Sequence, residues 1–239
     1  MHFLYFQMIE TLFEIIFAIF KYGHKNIWFN LTNSNWKKNY NEIKDLNESS
    51  DLFTRKITVS SGENKQDLLL IKWIFYFVYS PNKTDLEWES NFNKIKEFLL
   101  IFASDFSDRD EYNAFKHAMR FYNSSFSAYF GFQGMKDMQM ICKSNDSITY
   151  LEEKMIEEIK TKNKPVYRIY ITTKPFYFDI DFNCCKIIYS MIKNIIDSRK
   201  HYLLPNSYKE KLNLIIYNNF DIDKDYLPES SLTKQSFPV

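Results

Sequence analysis

The apolar positions of this chain follow a helical period at both ends and a strand period in the middle. Residues 3–20, "FLYFQMIETLFEIIFAIF", are nearly all apolar, but Gln7, Glu10 and Glu14 lie along one side of a helix. After a break at Gly23, "LFTRKITVS" alternates like an exposed strand and "SSGENK" has loop composition. "QDLLLIKWIFYFVYS" is long and Leu-rich at its start, which favours a helix ending at Pro81. In the following segment Phe92, Ile95, Phe98, Leu99 and Phe102 recur at helical spacing. A further helix is predicted over 109–122, with Ser107 or Asp108 as its N-cap.

The texture then changes. "NSSFSAYFGF", "MQMICKS" and "SITYLEE" have the character of short strands, "EEKMIEEIKTKNK" that of a short helix, and "PVYRIYITTKPFYFDIDF" is dense in β-branched and aromatic residues. Helical spacing returns with Ile187, Ile188, Met191, Ile195 and Ile196, and "SYKEKLNLIIYNN" predicts a last helix. The expected fold is therefore mainly α: a helical bundle with a small antiparallel β insertion at about residues 124–180. No repeat or low-complexity linker divides it, so a single domain over 1–239 is expected, with an amphipathic N-terminal helix at 1–22 and a loose tail at 221–239.

Composition narrows the function classes. Hydrophobic residues at 45% supply a core, which excludes global disorder. A formal charge of +1 argues against a strongly basic nucleic-acid binder while leaving room for a local basic patch. The three cysteines, Cys142 and the adjacent Cys184 and Cys185, form no disulfide framework, so a reducing cytoplasm is the expected compartment. The four histidines, at 2, 24, 117 and 201, do not group as zinc ligands, and no cofactor or metal is expected. Two carboxylates in the first apolar run would be costly inside a bilayer, so that helix is expected to pack on its own chain, a partner protein or a second protomer rather than in a membrane.

Phosphate-cradling glycine loops and the common hydrolase motifs are absent from the sequence. "DIDKD" at 221–225 imitates the start of a calcium loop, but Tyr226 stands where the turn needs glycine and Leu232 where a bidentate Glu is needed. In "FYFDIDF", an extended backbone would place Asp179 and Asp181 on one face, where two carboxylates could hold Mg²⁺. That segment resembles the first metal motif of archaeo-eukaryotic primase-type polymerases, which implies a Mg²⁺-dependent nucleotidyl-transfer alternative. The histidine motif and acidic strand that follow it in that family are missing here, and the favoured reading of the segment is a strand end with a solvated acidic face followed by a helix N-terminus where Asp181 meets the dipole.

The predicted helix at 109–122 carries the densest chemistry. Tyr112, Phe115, Met119 and Tyr122 fall along one side as core candidates, while Arg109, Asn113, Lys116 and Arg120 cluster on another with His117 at its edge. Cations there can neutralise phosphates, Asn113 can orient a ribose or base, and His117 can act as acid or base near neutral pH. "YNAFKHAMR", with "TTKPFYFDIDF" and the helix after it, is similar to a motif of uncharacterised bacterial helical proteins, Tyr-Asn-x-x-Lys-His-Gly/Ala, over Asp108 to Leu203. More distantly, an Arg and a His on one bundle helix resemble the HEPN superfamily, with Asp110 as the polar neighbour of Arg109 and His117 further along than the family pattern places it. The resemblance implies RNA binding and metal-independent RNA cleavage in a toxin or anti-phage system. It also implies a homodimer whose two Arg–His sets share a cleft. On it Arg109 and His117 are the catalytic candidates, and Asn113, Lys116 and Arg120 the substrate-binding ones. A non-catalytic helical interaction module is the other expectation from the same residues.

Overall fold

In a computed structural model, the described residues are 1–22, 27–46, 51–61, 64–77, 85–116, 121–130, 139–156, 166–203, 214–217 and 235–238. The chain is mainly α-helical with antiparallel β structure, as the hydrophobic pattern predicts. Its helices are α1 (His2–Tyr22), α2 (Ile27–Thr32), α3 (Trp36–Lys44), α4 (Leu70–Tyr76), α5 (Asp85–Ser107), α6 (Asp110–Lys116) and α7 (Phe178–Leu203). The strands form two sheets: a hairpin of β1 (Lys56–Ser61) and β2 (Asn64–Leu69), and a four-stranded sheet of β3 (Phe121–Phe130), β4 (Gln139–Ile156), β5 (Val166–Pro175) and β6 (Gln235–Pro238), in that order. Packing divides the chain into two compact units interleaved in sequence: a helical unit of Leu4–Asp108 and Asn183–Tyr226, and a sheet unit of Met1–Phe3, Arg109–Phe182 and Leu227–Val239.

The core of the helical unit follows the apolar stripes of α1, α5 and α7. Ile9, Leu12, Phe13 and Ile16 of α1 are fully buried, as are Ile95, Phe98, Leu99 and Phe102 of α5 and Ile188, Met191 and Ile195 of α7. Each such side chain contributes roughly 1.5–3 kcal/mol on leaving water. Helix α1 is long and apolar enough to cross a membrane by length and composition, yet most of its apolar side chains are packed inside the chain. Gln7 and Thr11 are exposed and Glu10 and Glu14 half-exposed, the polar side read from the sequence. Within this unit Tyr5 donates a 2.6 Å hydrogen bond to Asp105, fixing α1 against the end of α5.

The last predicted helix is not what the described part of that segment forms. Residues 214–217 run without helical structure, held by two buried asparagines. The Asn194 amide accepts from the Ile215 N–H at 3.0 Å and donates to the Ile215 carbonyl at 2.9 Å, as a neighbouring strand would. Asn91 accepts from the Tyr217 N–H at 2.8 Å, and the Tyr76 hydroxyl donates to the Ile215 carbonyl at 2.8 Å. Tyr217 itself is fully buried, with its hydroxyl 2.8 Å from that of Ser190. "LNLIIYNN" has helical spacing, but the side-chain amides supply backbone partners that an isolated helix would otherwise have supplied.

Burial pushes both Tyr76 and Tyr217 well above the usual tyrosine range, and Tyr217 adds to the shift on Tyr76. A folded pKa raised above the unfolded value of about 10 means stability is intact below pH 10 and is lost as pH rises beyond it, by about 1.4 kcal/mol per pH unit per tyrosine. Thermal unfolding followed from pH 8 to 11 should therefore show a steep alkaline fall. Tyr76→Phe and Tyr217→Phe should each flatten it, and an unchanged slope in both would overturn the assignment.

The hairpin runs straight into α4: the Leu70 N–H donates to the Arg55 carbonyl at 2.7 Å, so the helix starts with a backbone partner in place of a side-chain cap. "QDLL" is thus strand rather than the start of the predicted helix, its residues pairing with Lys56–Val59. At the other end of α4, Phe77 adopts a φ of 54°, a conformation rare for a bulky residue. Arg199 of α7 holds that end. Its guanidinium donates to the carbonyls of Trp73 at 3.1 Å and Ile74 at 2.7 Å and lies against the rings of Trp73 and Phe77. Cations are favoured at helix C-termini, and here the guanidinium adds to the Phe77 N–H that the Trp73 carbonyl already receives at 3.1 Å. Burial alone pushes this guanidinium down to about 9, still a cation at neutral pH.

The predicted β insertion at about 124–180 starts earlier, at Phe121, and ends earlier, at Pro175, before α7 begins at Phe178. The strand β3 begins at Phe121, inside the stretch read as helix, and "QMICKS" and "SITYLEE", expected as separate strands, are one long strand, β4. "EEKMI", expected in a short helix, is the end of that strand, pairing with Val166–Tyr170. Register shifts at Ser124/Phe126 and Ala128/Tyr129 bend the β3–β4 ladder. The tail, expected to be loose, contributes β6, whose Gln235–Pro238 pair with Tyr170–Thr173.

Candidate functional site

Helix α6 is the element that carries the predicted site. It is seven residues long, not the fourteen of the predicted span 109–122. Ser107 closes α5 instead of capping α6, with its hydroxyl bonded back to the Ala103 carbonyl at 2.7 Å. The helix lies on β3 and β4 of the sheet unit. Ala114, not among the predicted core residues, is buried against Ile148 and Tyr150 of β4, with Phe3 and Phe176 completing the cluster. A small side chain at that position lets the helix backbone approach the sheet closely.

The predicted side chains part ways. Tyr112 is buried as expected, and Lys116 Nζ lies 4.5 Å from the centre of its ring. Phe115, expected in the core, is 40% exposed and stacks on Phe3 with ring centres 3.9 Å apart. Asn113 and Lys116 are exposed one turn apart, so the structure brings these two candidates together at the surface. Arg109 was placed on the same solvated face but is only 5% exposed. It precedes the helix, and its carbonyl receives the Asn113 N–H at 3.0 Å, so it belongs to the base of α6. His117, Met119 and Arg120 lie outside the described residues, and Tyr122 is in β3.

The alternative acidic pair does not share a face. Asp179 and Asp181 sit in the first turn of α7, where two residues apart means nearly opposite sides. Asp179 is exposed, whereas Asp181 is buried and its Oδ2 is 2.9 Å from His2 Nδ1. His2 stacks on Phe176, with ring centres 5.0 Å apart. Asp181 is therefore tied to the N-terminus, and among the described residues no group of three or more His, Cys, Asp or Glu could hold a metal. The two-carboxylate strand alternative is overturned, whereas the strand end followed by a helix N-terminus at Asp181 is what forms: β5 ends at Pro175 and α7 starts at Phe178.

A cavity of about 490 Å³ in the helical unit was not signalled by the sequence reading. Phe53, Leu69, Lys72, Trp88, Phe92 and Lys96 form its apolar and cationic walls, with Asp67, Glu89 and Asn93 among its polar ones. Phe92 stacks on the buried Trp88 at 5.3 Å, and the ammoniums of Lys72 and Lys96 lie over the rings of Trp88 and Phe53 at 5.2 and 5.4 Å. The available signal was Trp88 and Phe92 four apart at the start of a helix, with Lys96 one further turn along.

No family model, curated protein or solved structure matches this chain.

Proposed function

We propose that the chain is a HEPN-like RNA-binding protein of a toxin or anti-phage system that cleaves RNA without a metal, acting in the cytoplasm as a homodimer. The observation that supports this reading is the exposed Asn113–Lys116 turn of α6, immediately before His117. Lys116 neutralises a phosphate, Asn113 orients the ribose, and His117 takes the 2′-hydroxyl proton while the 2′-oxygen attacks the adjacent phosphorus; the bond from phosphorus to the 5′-oxygen breaks, that oxygen leaves with a proton from water, and a 2′,3′-cyclic phosphate remains. Arg109, buried at the base of the helix, acts as a fixed positive charge, and Arg120 adds a second phosphate contact.

RNA cleavage by the purified chain should persist in EDTA and fall by a factor of about 10²–10⁴ in His117→Asn, the range of general acid–base contributions. Lys116→Ala should weaken binding across sequences and reduce the salt slope by about one. Cleavage unchanged by both His117→Asn and Arg109→Lys would sink the site. Loss of cleavage in EDTA would transfer the chemistry to a metal.

A second reading, a non-catalytic interaction module, has its own observation. Trp28 and Phe29 of α2 and Trp36 of α3 are 69%, 68% and 65% exposed. Exposed aromatics at this density are typical of contact surfaces. An inert protein that loses a co-purifying partner on Trp28→Ser with Trp36→Ser would favour it.

A further inference from the structure

We infer that the cavity between the β1–β2 hairpin, α4 and α5 binds a nucleoside monophosphate moiety, with its base on the aromatic wall and its phosphate at Lys72 and Lys96. This site lies wholly within the helical unit and rests on nothing in α6. Its volume, about 490 Å³, is in the range of small-ligand sites, about 300–1,000 Å³.

The lining specifies the ligand. Phe53 and Phe92 are half-buried rings, and Phe92 is backed by the buried Trp88, so the apolar wall is rigid. Rings of this kind take a base by stacking, whichever base it is. The two ammoniums are held close to the cavity by ring faces, so little rotamer freedom is left to lose when they meet an anion. Lys72 is half-buried on α4, and Lys96 is on the exposed rim.

The acidic residues set the charge. Asp67 and Glu89 balance Lys72 and Lys96, so the lining is formally neutral. Asp67 already accepts a 2.7 Å hydrogen bond from Thr58. Glu89 and Asn93, both exposed, offer an acceptor and an amide to ribose hydroxyls and the base edge. A single phosphate suits this balance. A triphosphate would bring more negative charge towards two carboxylates than two lysines can offset, so monophosphates should bind more tightly than triphosphates.

The same moiety occurs free and within an RNA strand, and titration separates the sources. The full chain is titrated with AMP, CMP, GMP and UMP, with ATP, with adenosine, and with a short single-stranded RNA, by calorimetry. Lys72→Met and Lys96→Met should each weaken monophosphate binding about tenfold, equal to about 1.4 kcal/mol, and leave adenosine binding nearly unchanged. Phe92→Leu, which keeps an apolar side chain but removes the ring, should weaken both, with unfolding curves confirming that each variant is folded. If the RNA binds through these residues and free monophosphates do not, the occupant is a nucleotide of a strand. If monophosphates bind and RNA is indifferent to these residues, it is a free metabolite. No binding of either at millimolar concentration, ATP tighter than AMP, or binding indifferent to all three substitutions would overturn the inference. His117→Asn should leave every one of these titrations unchanged, which separates this site from the one on α6.

Discussion

Asn194→Ala should lower the unfolding free energy by about 2–4 kcal/mol, read as a fall in the urea midpoint at constant m-value. The Ile215 N–H would lose its acceptor in a half-buried place, where a donor left unsatisfied costs up to about 1–3 kcal/mol. The Ile215 carbonyl would keep only its bond from Tyr76, and the missing side chain would leave a cavity. Asn194→Asp should be worse than alanine, because a carboxylate cannot donate to the carbonyl and brings a charge into the core. Lys186→Ala, on the exposed side of the same helix, should stay within about 0.5 kcal/mol. Hydrogen exchange at Ile215 supplies an independent reading: its amide should exchange with the global unfolding event in the parent and through local opening in the variant. A stability change as small as that of the lysine control would rule out the clamp.

Arg199→Ala should cost about 3–5 kcal/mol, measured by thermal or chemical unfolding. The Trp73 and Ile74 carbonyls at the end of α4 would lose the guanidinium, Trp73 retaining the Phe77 N–H, and the space against the Trp73 and Phe77 rings would empty. Arg199→Met separates the contributions. It fills most of the volume and removes a buried charge whose Nε finds no acceptor among the described residues, so roughly half of the loss should be recovered. If methionine proves as damaging as alanine, the hydrogen bonds dominate. If both are harmless, the guanidinium does not hold the helix end.

The long amphipathic elements were legible because their periodicity and their burial agree. Phe98, Leu99 and Phe102 of α5 and Ile188, Met191 and Ile195 of α7 are buried where the helical period placed them. The shift to strands was legible from composition, although its edges were not: "RFY" continues a helical spacing on paper, yet Phe121 and Tyr122 pair with Tyr150 and Thr149. Local propensity is a weak prior once a strand partner is available. The asparagine clamp did leave a trace. Asn91 shares the stripe of Ile95, Phe98 and Phe102, and Asn194 that of Ile187 and Met191, and a polar residue on a core stripe must find a partner once buried. The burial of Arg109 left no such trace, since nothing in "SDRDEY" distinguishes a solvated arginine from one folded under a short helix. Asn113 and Lys116 were read as surface residues, and they are.

The interleaving of the two units has a consequence for biosynthesis. On the ribosome, the helical unit lacks Asn194, Arg199 and Tyr217 until the whole of residues 109–182 has been made, so its first hundred residues emerge without the groups that complete their core. The sheet unit waits longer still, for β6. Long-range closure of this kind slows folding and leaves apolar surface, α1 above all, waiting in solvent during translation. Nascent chains should therefore depend on whatever shields that helix until residue 217 has cleared the exit tunnel.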